Sequence, residues 1–357
     1  MRLSPGKHVK IAQIAPLAES VPPTLYGGTE RVVSWLTEEL VQLGHRVTLF
    51  ASGDSKTDAE LVSVTPRALR LDPTVKDCQP YHYILLDKVF RRAHEFDVLH
   101  FHIDLMHYPL FRSMAERVLT TLHGRLDLPD LHPFYRTFDS MKLVSISNAQ
   151  RKPMPPVNWT ATVPHGLPAD LHRPGNGGGG YLAFLGRIAP EKGPEAAIEI
   201  AKASGVPLKM AAKVDAVDRA YFEARIRPLL DHPLIEYIGE INEGQKTRFL
   251  GEARALVFPI DWPEPFGLVM IEAMACGTPV IAFRAGSVPE VIEHGVTGFV
   301  VKDINEAVLA VPAATRLDRA KIRSRFEERF TSAHMAKAYL AVYESLIEGR
   351  KPASRAA

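Results

Sequence analysis

The chain has 357 residues, 46% of them apolar and 24% charged, the balance of a soluble globular protein long enough for two domains with separate cores. Its 43 Lys and Arg stand against 41 Asp and Glu, and the net charge of +2 excludes a general electrostatic pull toward nucleic acid. Cys78 and Cys276 are the only cysteines, with no metal-ligand spacing and no disulfide framework, as expected of a cytoplasmic protein. No run is apolar enough to span a bilayer, so the expectation is a monomer or homodimer with at most peripheral membrane contact.

The first charged residues, Arg2, Lys7 and Lys10, lead only into a short apolar run that reads as a strand at 9–15 and not as a signal sequence. Further strands are expected at 46–51, 97–102, 117–122, 142–147 and 161–164. Between the first two, Val32, Val33, Leu36, Leu40 and Val41 recur at helical spacing with Glu30, Glu38 and Glu39 opposite. The stretch 172–180, rich in Gly and Pro, reads as a linker at a domain junction. Gly175, Gly177 and Gly180 match a dinucleotide-binding spacing by letter, but they precede a strand where that fingerprint must follow one. A second series then sets strands at 181–185, 208–212, 235–238, 255–259, 280–283 and 299–301, with helices at 194–204, 218–230, 243–252 and 268–275. Helical sequence at 319–330 and 332–347 closes the chain. Strands alternating with crossover helices predict an α/β fold of two Rossmann-like domains facing a cleft, residues 1–168 and 169–330, with 331–357 returning toward the first.

In such folds ligands bind beyond the carboxyl ends of the strands. There stands Gly186-Arg187-Ile188-Ala189-Pro190-Glu191-Lys192-Gly193, in which two cations next to a helix start suit a diphosphate. A solvated loop with an Arg187–Glu191 pair is the bland alternative. After the first strand, Gly27 and Gly28 let backbone approach an anion, or simply serve a tight turn. After residues 255–259, Glu264 lies in a loop and Glu272 in the following helix, carboxylates around the apolar Phe266, Leu268, Val269, Met270 and Ile271. Carboxylates in such surroundings need a partner or a ligand.

Taken together, the Glu-x7-Glu element Glu264–Glu272, the Gly186–Gly193 element, the Gly27-Gly28 loop and Ala285-Gly286-Ser287-Val288-Pro289-Glu290 resemble the glycosyltransferases of family 4, the retaining branch with the two-domain GT-B architecture. The resemblance covers nearly the whole chain. It implies a nucleotide-sugar donor with UDP-glucose or another UDP-hexose favoured and GDP-mannose second, and a small-molecule, glycan or lipid-linked acceptor. It implies that Arg187 and Lys192 neutralise the diphosphate, aided by amides at Gly28 and at Phe266, Gly267 and Leu268. Glu264 would hold sugar hydroxyls, Glu272 the ribose, and Ile241 would pack on the base. His123 matches a family histidine near the reaction centre. His165, where many relatives have Asn, is either an acceptor-side residue or part of a turn. No Asp-x-Asp occurs, so no divalent metal and no other cofactor is expected.

A retaining reaction could in principle use Glu264 as nucleophile, but the resemblance assigns it to donor binding and favours front-face attack. His100, His102 and His107 could be metal ligands; strand-end packing with a local hydrogen bond is the preferred reading. Two alternatives remain, a nucleotide-sugar epimerase on the same scaffold and a non-catalytic nucleotide-sugar-binding module.

Overall fold

A computed structural model of the protein describes residues 8–24 and 27–350. The chain forms two compact units, Met1–Gly166 with Ser332–Ala357, and Leu167–Thr331.

Unit 1 holds a parallel sheet of β1 (Lys10–Ile14), β2 (Arg46–Ala51), β3 (Glu60–Ser63), β4 (Val98–Phe101), β5 (Val118–Thr121), β6 (Lys142–Ser145) and β7 (Trp159–Thr162), in the order β3-β2-β1-β4-β5-β6-β7. Unit 2 holds β8 (Leu182–Arg187), β9 (Leu208–Lys213), β10 (Ile235–Gly239), β11 (Ala255–Phe258), β12 (Val280–Phe283) and β13 (Gly298–Val301), parallel in the order β10-β9-β8-β11-β12-β13. Helices of eight residues or more are α1 (Gly28–Gln42), α2 (Gln79–Arg92), α3 (Pro194–Ser204), α4 (Glu243–Gly251), α5 (Leu268–Ala275), α6 (Ile304–Ala314), α7 (Arg319–Arg329) and α8 (Ser332–Glu348). Crossover helices cover both faces of a parallel sheet, which is why central strands such as Val-Leu-His-Phe of β4 and Ala-Leu-Val-Phe of β11 are buried at every position. Phe50, Phe101 and Tyr108 pack in the core of unit 1, and Met210, Val257 and Ile281 in that of unit 2.

Chain order reverses between β1 and β4 in one sheet and between β8 and β11 in the other. Connections leave to opposite sides there, and the diverging loops open a crevice at the strand ends.

Three features depart from the sequence-based expectation. β3 is a half-exposed edge strand with too few apolar residues to signal itself. The helix expected at 218–230 is broken into a π turn at Phe222–Ile226 and a 3-10 turn at Arg227–Leu229. Pro228 lacks the amide that would continue the α ladder. The stretch 172–180 is not a free linker, since it lies inside unit 2 with the Gly175, Gly177 and Gly179 amides donating to Cys276, Gly251 and Glu252 carbonyls at 2.9–3.0 Å. A Cβ on Gly175 would come within 2.2 Å of the Gly251 oxygen, so the glycine serves close approach and not flexibility.

Helix α8 belongs to unit 1, where it packs against α1 and the Ser332 hydroxyl donates to Glu39 at 2.6 Å. Tyr339 and Tyr343, one turn apart on its buried face, point into the sheet.

Candidate functional site

In unit 2 the candidate residues gather at the reversal between β8 and β11. Arg187 ends β8, and a short turn at Pro190–Lys192 carries the chain to α3. The loop after β11 is tied to that turn by the Asp261 amide donating to the Glu191 carbonyl at 2.9 Å. This join delivers Lys192 Nζ to Glu264 Oε2 at 2.5 Å. The same carboxylate oxygen accepts from the Trp262 indole N–H at 2.9 Å, and the ammonium sits 4.6 Å from the centre of that indole ring. One carboxylate, one cation and one aromatic face form a single unit.

Glu264 is held from behind by the turn Ala285-Gly286-Ser287. The Ser287 amide donates to the Glu264 carbonyl at 2.9 Å and its hydroxyl to the Phe266 carbonyl at 2.8 Å. Gly286 has φ +50°, and a Cβ there would fall 2.2 Å from the Glu264 oxygen and 2.4 Å from its nitrogen. Only glycine lets the turn press so close. Phe266 is buried, and Gly267 caps α5 in the left-handed region, so that the first helical turn begins at Leu268.

Glu272 lies farther along α5, buried, and its carboxylate accepts from Lys246 of α4 at 2.7 Å. His172, Glu243 and Glu272 bring ligand-type atoms within 4.8 Å of one another. Lys246 Nζ is also 3.3 Å from Glu243, so the positive charge between these carboxylates is the lysine's own. Arg187 stands apart from the Lys192–Glu264 unit, bonded to Glu191 at 2.5 Å and Asp218 at 2.8 Å, with Asp215 at 3.8 Å. The Arg187–Glu191 pair of a plain loop is thus present, and an anion at Arg187 would exchange partners with carboxylates. Ile241 is half-buried beside Asn242, which caps α4.

In unit 1 the loop after β1 folds back on the start of α1, where a Cβ on Gly27 would lie 2.8 Å from that of Pro23, and Gly28 opens the helix. Tyr26 of that loop lies outside the described residues. Neighbouring strands β1, β4 and β5 place Gln13, His100, His102, Thr121 and His123 on one face, because positions two apart along a strand share a side. His102 Nδ1 lies 2.8 Å from His123 Nε2 and its Nε2 lies 2.8 Å from Gln13 Oε1. Gln13 Nε2 donates to Tyr343 OH at 3.2 Å. That hydroxyl is 2.7 Å from His100 Nδ1, whose Nε2 is 2.7 Å from Thr121 Oγ1, and Thr121 in turn meets Tyr339 OH at 2.8 Å. His165 stacks on His123 with centroids 5.2 Å apart, so the structure brings these two candidates together. Burial pushes His100, His102 and His165 well below the usual imidazole range and His123 down to about 3, with neighbouring imidazoles adding to the effect on the first three. At neutral pH these shifts leave the cluster uncharged, and both ring nitrogens of His100 and of His102 are taken up by hydrogen bonds.

The family model for glycosyl transferases group 1 matches residues 173–331, and that for Glycosyltransferase Family 4 matches 26–154. The chain belongs to the family 4 glycosyltransferases. Among curated relatives of this family 4 chain is D-inositol 3-phosphate glycosyltransferase of Mycolicibacterium smegmatis, 29% identical over 57% of this chain and 50% of that protein. Alpha-maltose-1-phosphate synthase of the same organism is 28% identical over 50% of each. The chain spans about half the length of these curated relatives. Solved structures extend the likeness over the chain: a glycosyltransferase involved in avilamycin A biosynthesis aligns with TM-score 0.72 at 22% identity, covering 96% of this chain and 98% of that one. HepE of Anabaena in complex with UDP and glucose gives 0.70 at 17%, covering 95% and 100%. These establish the GT-B fold of two parallel-sheet α/β domains. No helix among the described residues is long and apolar enough to cross a membrane.

Trp262, Lys246, Asp218, Gln13, Tyr339 and Tyr343 were not marked by sequence. Only Trp262, two residues before Glu264, lay inside a motif that could have found it.

Proposed function

We propose that the protein transfers a hexose with retention of configuration from a nucleoside diphosphate sugar, UDP-glucose or another UDP-hexose first and GDP-mannose second, to a small-molecule, glycan or lipid-linked acceptor. The observation that carries this is the meeting of Lys192 with Glu264 at the start of α5, a cation beside a hydroxyl-binding carboxylate. The acceptor oxygen bonds to the anomeric carbon as the bond from that carbon to the β-phosphate oxygen breaks. The leaving phosphate takes the acceptor proton on the same face. Charge grows on that phosphate, so Lys192, Arg187 and the first amides of α5 stabilise the transition state more than the ground state. Glu264 receives sugar hydroxyls, Glu272 the ribose and Ile241 the base, and amides at Gly27-Gly28 aid in neutralising the diphosphate. His123 and His165, neutral, take hydroxyls of the sugar or acceptor.

This assignment needs no divalent metal and no other cofactor, and the setting is cytoplasmic, in keeping with the free thiols of Cys78 and Cys276. The families and relatives named above are transferases and a synthase, not epimerases. Mass-spectrometric detection of slow donor hydrolysis across a panel of nucleotide sugars tests the proposal, with turnover of one or two UDP- or GDP-sugars expected in excess chelator. Binding without turnover would instead mark a nucleotide-sugar-binding module, and strict metal dependence would overturn the metal-free chemistry.

A further inference from the structure

The polar cluster of unit 1 is a closed accounting problem. Each neutral imidazole carries one N–H and one lone pair, so fixing any member fixes its neighbours. Two directions satisfy the contacts. In one, Gln13 presents its carbonyl to His102 and its amide to Tyr343, the orientation the structure holds. His102 must then carry its proton on Nε2 and accept at Nδ1, so that His123 donates from Nε2. Tyr343 donates to His100, and His100 to Thr121. In the other direction every bond reverses.

What separates the two is His123 Nδ1, which is buried and has no hydrogen-bond partner among the described residues. Under the first direction it is a bare lone pair. Under the second it is an N–H with no acceptor, the rarer and costlier kind of orphan in a protein interior.

We infer that Gln13 and His102, anchored by Tyr343 of α8, are positioning residues that lock His123 as its Nε2–H tautomer, so that Nδ1 meets a substrate hydroxyl as a hydrogen-bond acceptor. None of the three touches substrate; they act through His123. This gives the return of the C-terminal helix to unit 1 a role beyond packing. The identity of the hydroxyl donor rests on the glycosyltransferase reading, whereas the tautomer does not.

Long-range proton–nitrogen correlation on the full chain labelled with 15N-histidine reads the tautomer without any substrate, His123 being assigned by the signals lost in His123→Asn. Protonated Nε2 and bare Nδ1 are expected. Gln13→Met, which removes the acceptor for His102, should leave His123 as a mixture of tautomers, and Gln13→Glu, which keeps that acceptor, should preserve the single form. Should Gln13→Met not fold, Tyr343→Phe frees the Gln13 amide and should produce the same mixture. An Nδ1–H signal in the unmodified protein, or a His123 unaffected by Gln13→Met or Tyr343→Phe, overturns the inference. In turnover, His123→Asn puts an amide oxygen where Nδ1 was and His123→Gln puts its amide where Nε2 was, so Asn should keep about ten-fold more rate. The reverse order also overturns it. Absence of turnover with every donor, beside the expected tautomer, defeats the transferase reading alone.

Discussion

Unit 2 and unit 1 use the same device, a parallel sheet whose strand order reverses, to hold opposite kinds of chemistry. At the β8/β11 reversal the side chains are charged and paired to one another, with Lys192 and Glu264 retaining 19% and 11% side-chain exposure. Beside the β1/β4 reversal they are neutral, buried and joined by hydrogen bonds through His100 and His102. On the proposed function, charges that exchange partners with an incoming diphosphate have to stay within reach of water, or the unliganded state would hold them too expensively. Neutral imidazoles that give one hydrogen bond and accept another can be dry, and dryness is what keeps them uncharged.

If unit 2 carries the electrostatic part of catalysis, its cation should matter most. Lys192→Ala is expected to lower kcat by about 10²- to 10³-fold, the typical effect of removing one charge-stabilising donor, at unchanged circular dichroism. A near-normal rate would move the diphosphate elsewhere. Gly286→Ala comes next, because its Cβ would strike Glu264 backbone atoms at 2.2 and 2.4 Å. Backbone strain of about 1–3 kcal/mol and a displaced carboxylate should lower kcat/KM by roughly 10²-fold. Wild-type kinetics in that variant would show that Glu264 need not be held.

Acid separates the two units by another route. His100, His102, His107, His123 and His165 have folded-state values below the usual imidazole value of 6.5, His123 at about 3. Their unfolded forms bind protons first as pH falls, so the stability they confer is complete above about pH 6.5 and declines below it. Each costs up to about 1.4 kcal/mol per pH unit in the window between its two values. Glu30 and Asp104, both raised by desolvation and the latter to about 6, work against this, but two carboxyls oppose five imidazoles. Melting monitored between pH 7.5 and 5 should therefore shift down, and a His100→Phe, Thr121→Val double variant should shift less. An equal shift in both would remove His100 as a cause.

The two regions also differ in how far the sequence reveals them. Strands such as 46–51 and 280–283 and helix 268–275 are legible to the residue because buried parallel strands and a helix apolar at every position but Glu272 leave long apolar runs. Lys192, Glu264 and Gly286 stand out because each sits in a loop directly after a strand, where local sequence dictates geometry. The partners do not. Lys246 reaches Glu272 from a neighbouring helix, Asp218 meets Arg187 from another loop, and Tyr343 lies 330 residues from Gln13. Nothing periodic marks a contact made only when the chain closes on itself. The glycines of 172–180 misled for a related reason: composition alone does not distinguish a glycine needed for motion from one needed for contact.

The finest division within unit 2 lies at Trp262. Its indole supplies a donor to Glu264 at 2.9 Å and a π face 4.6 Å from the Lys192 ammonium. Trp262→Phe removes the donor and keeps a face, and a lost hydrogen bond of about 1 kcal/mol corresponds to roughly five-fold in rate. Trp262→Ala removes both, and the cation then loses a stabilisation of about 0.5–1 kcal/mol more at this partly exposed site. A graded series in kcat, with wild type above Phe and Phe above Ala, is expected if the ring serves the charged pair in both ways. Equal rates for Phe and Ala would confine its role to the hydrogen bond. Equal rates for all three would make Trp262 a bystander, leaving Lys192 and Glu264 to orient each other unaided.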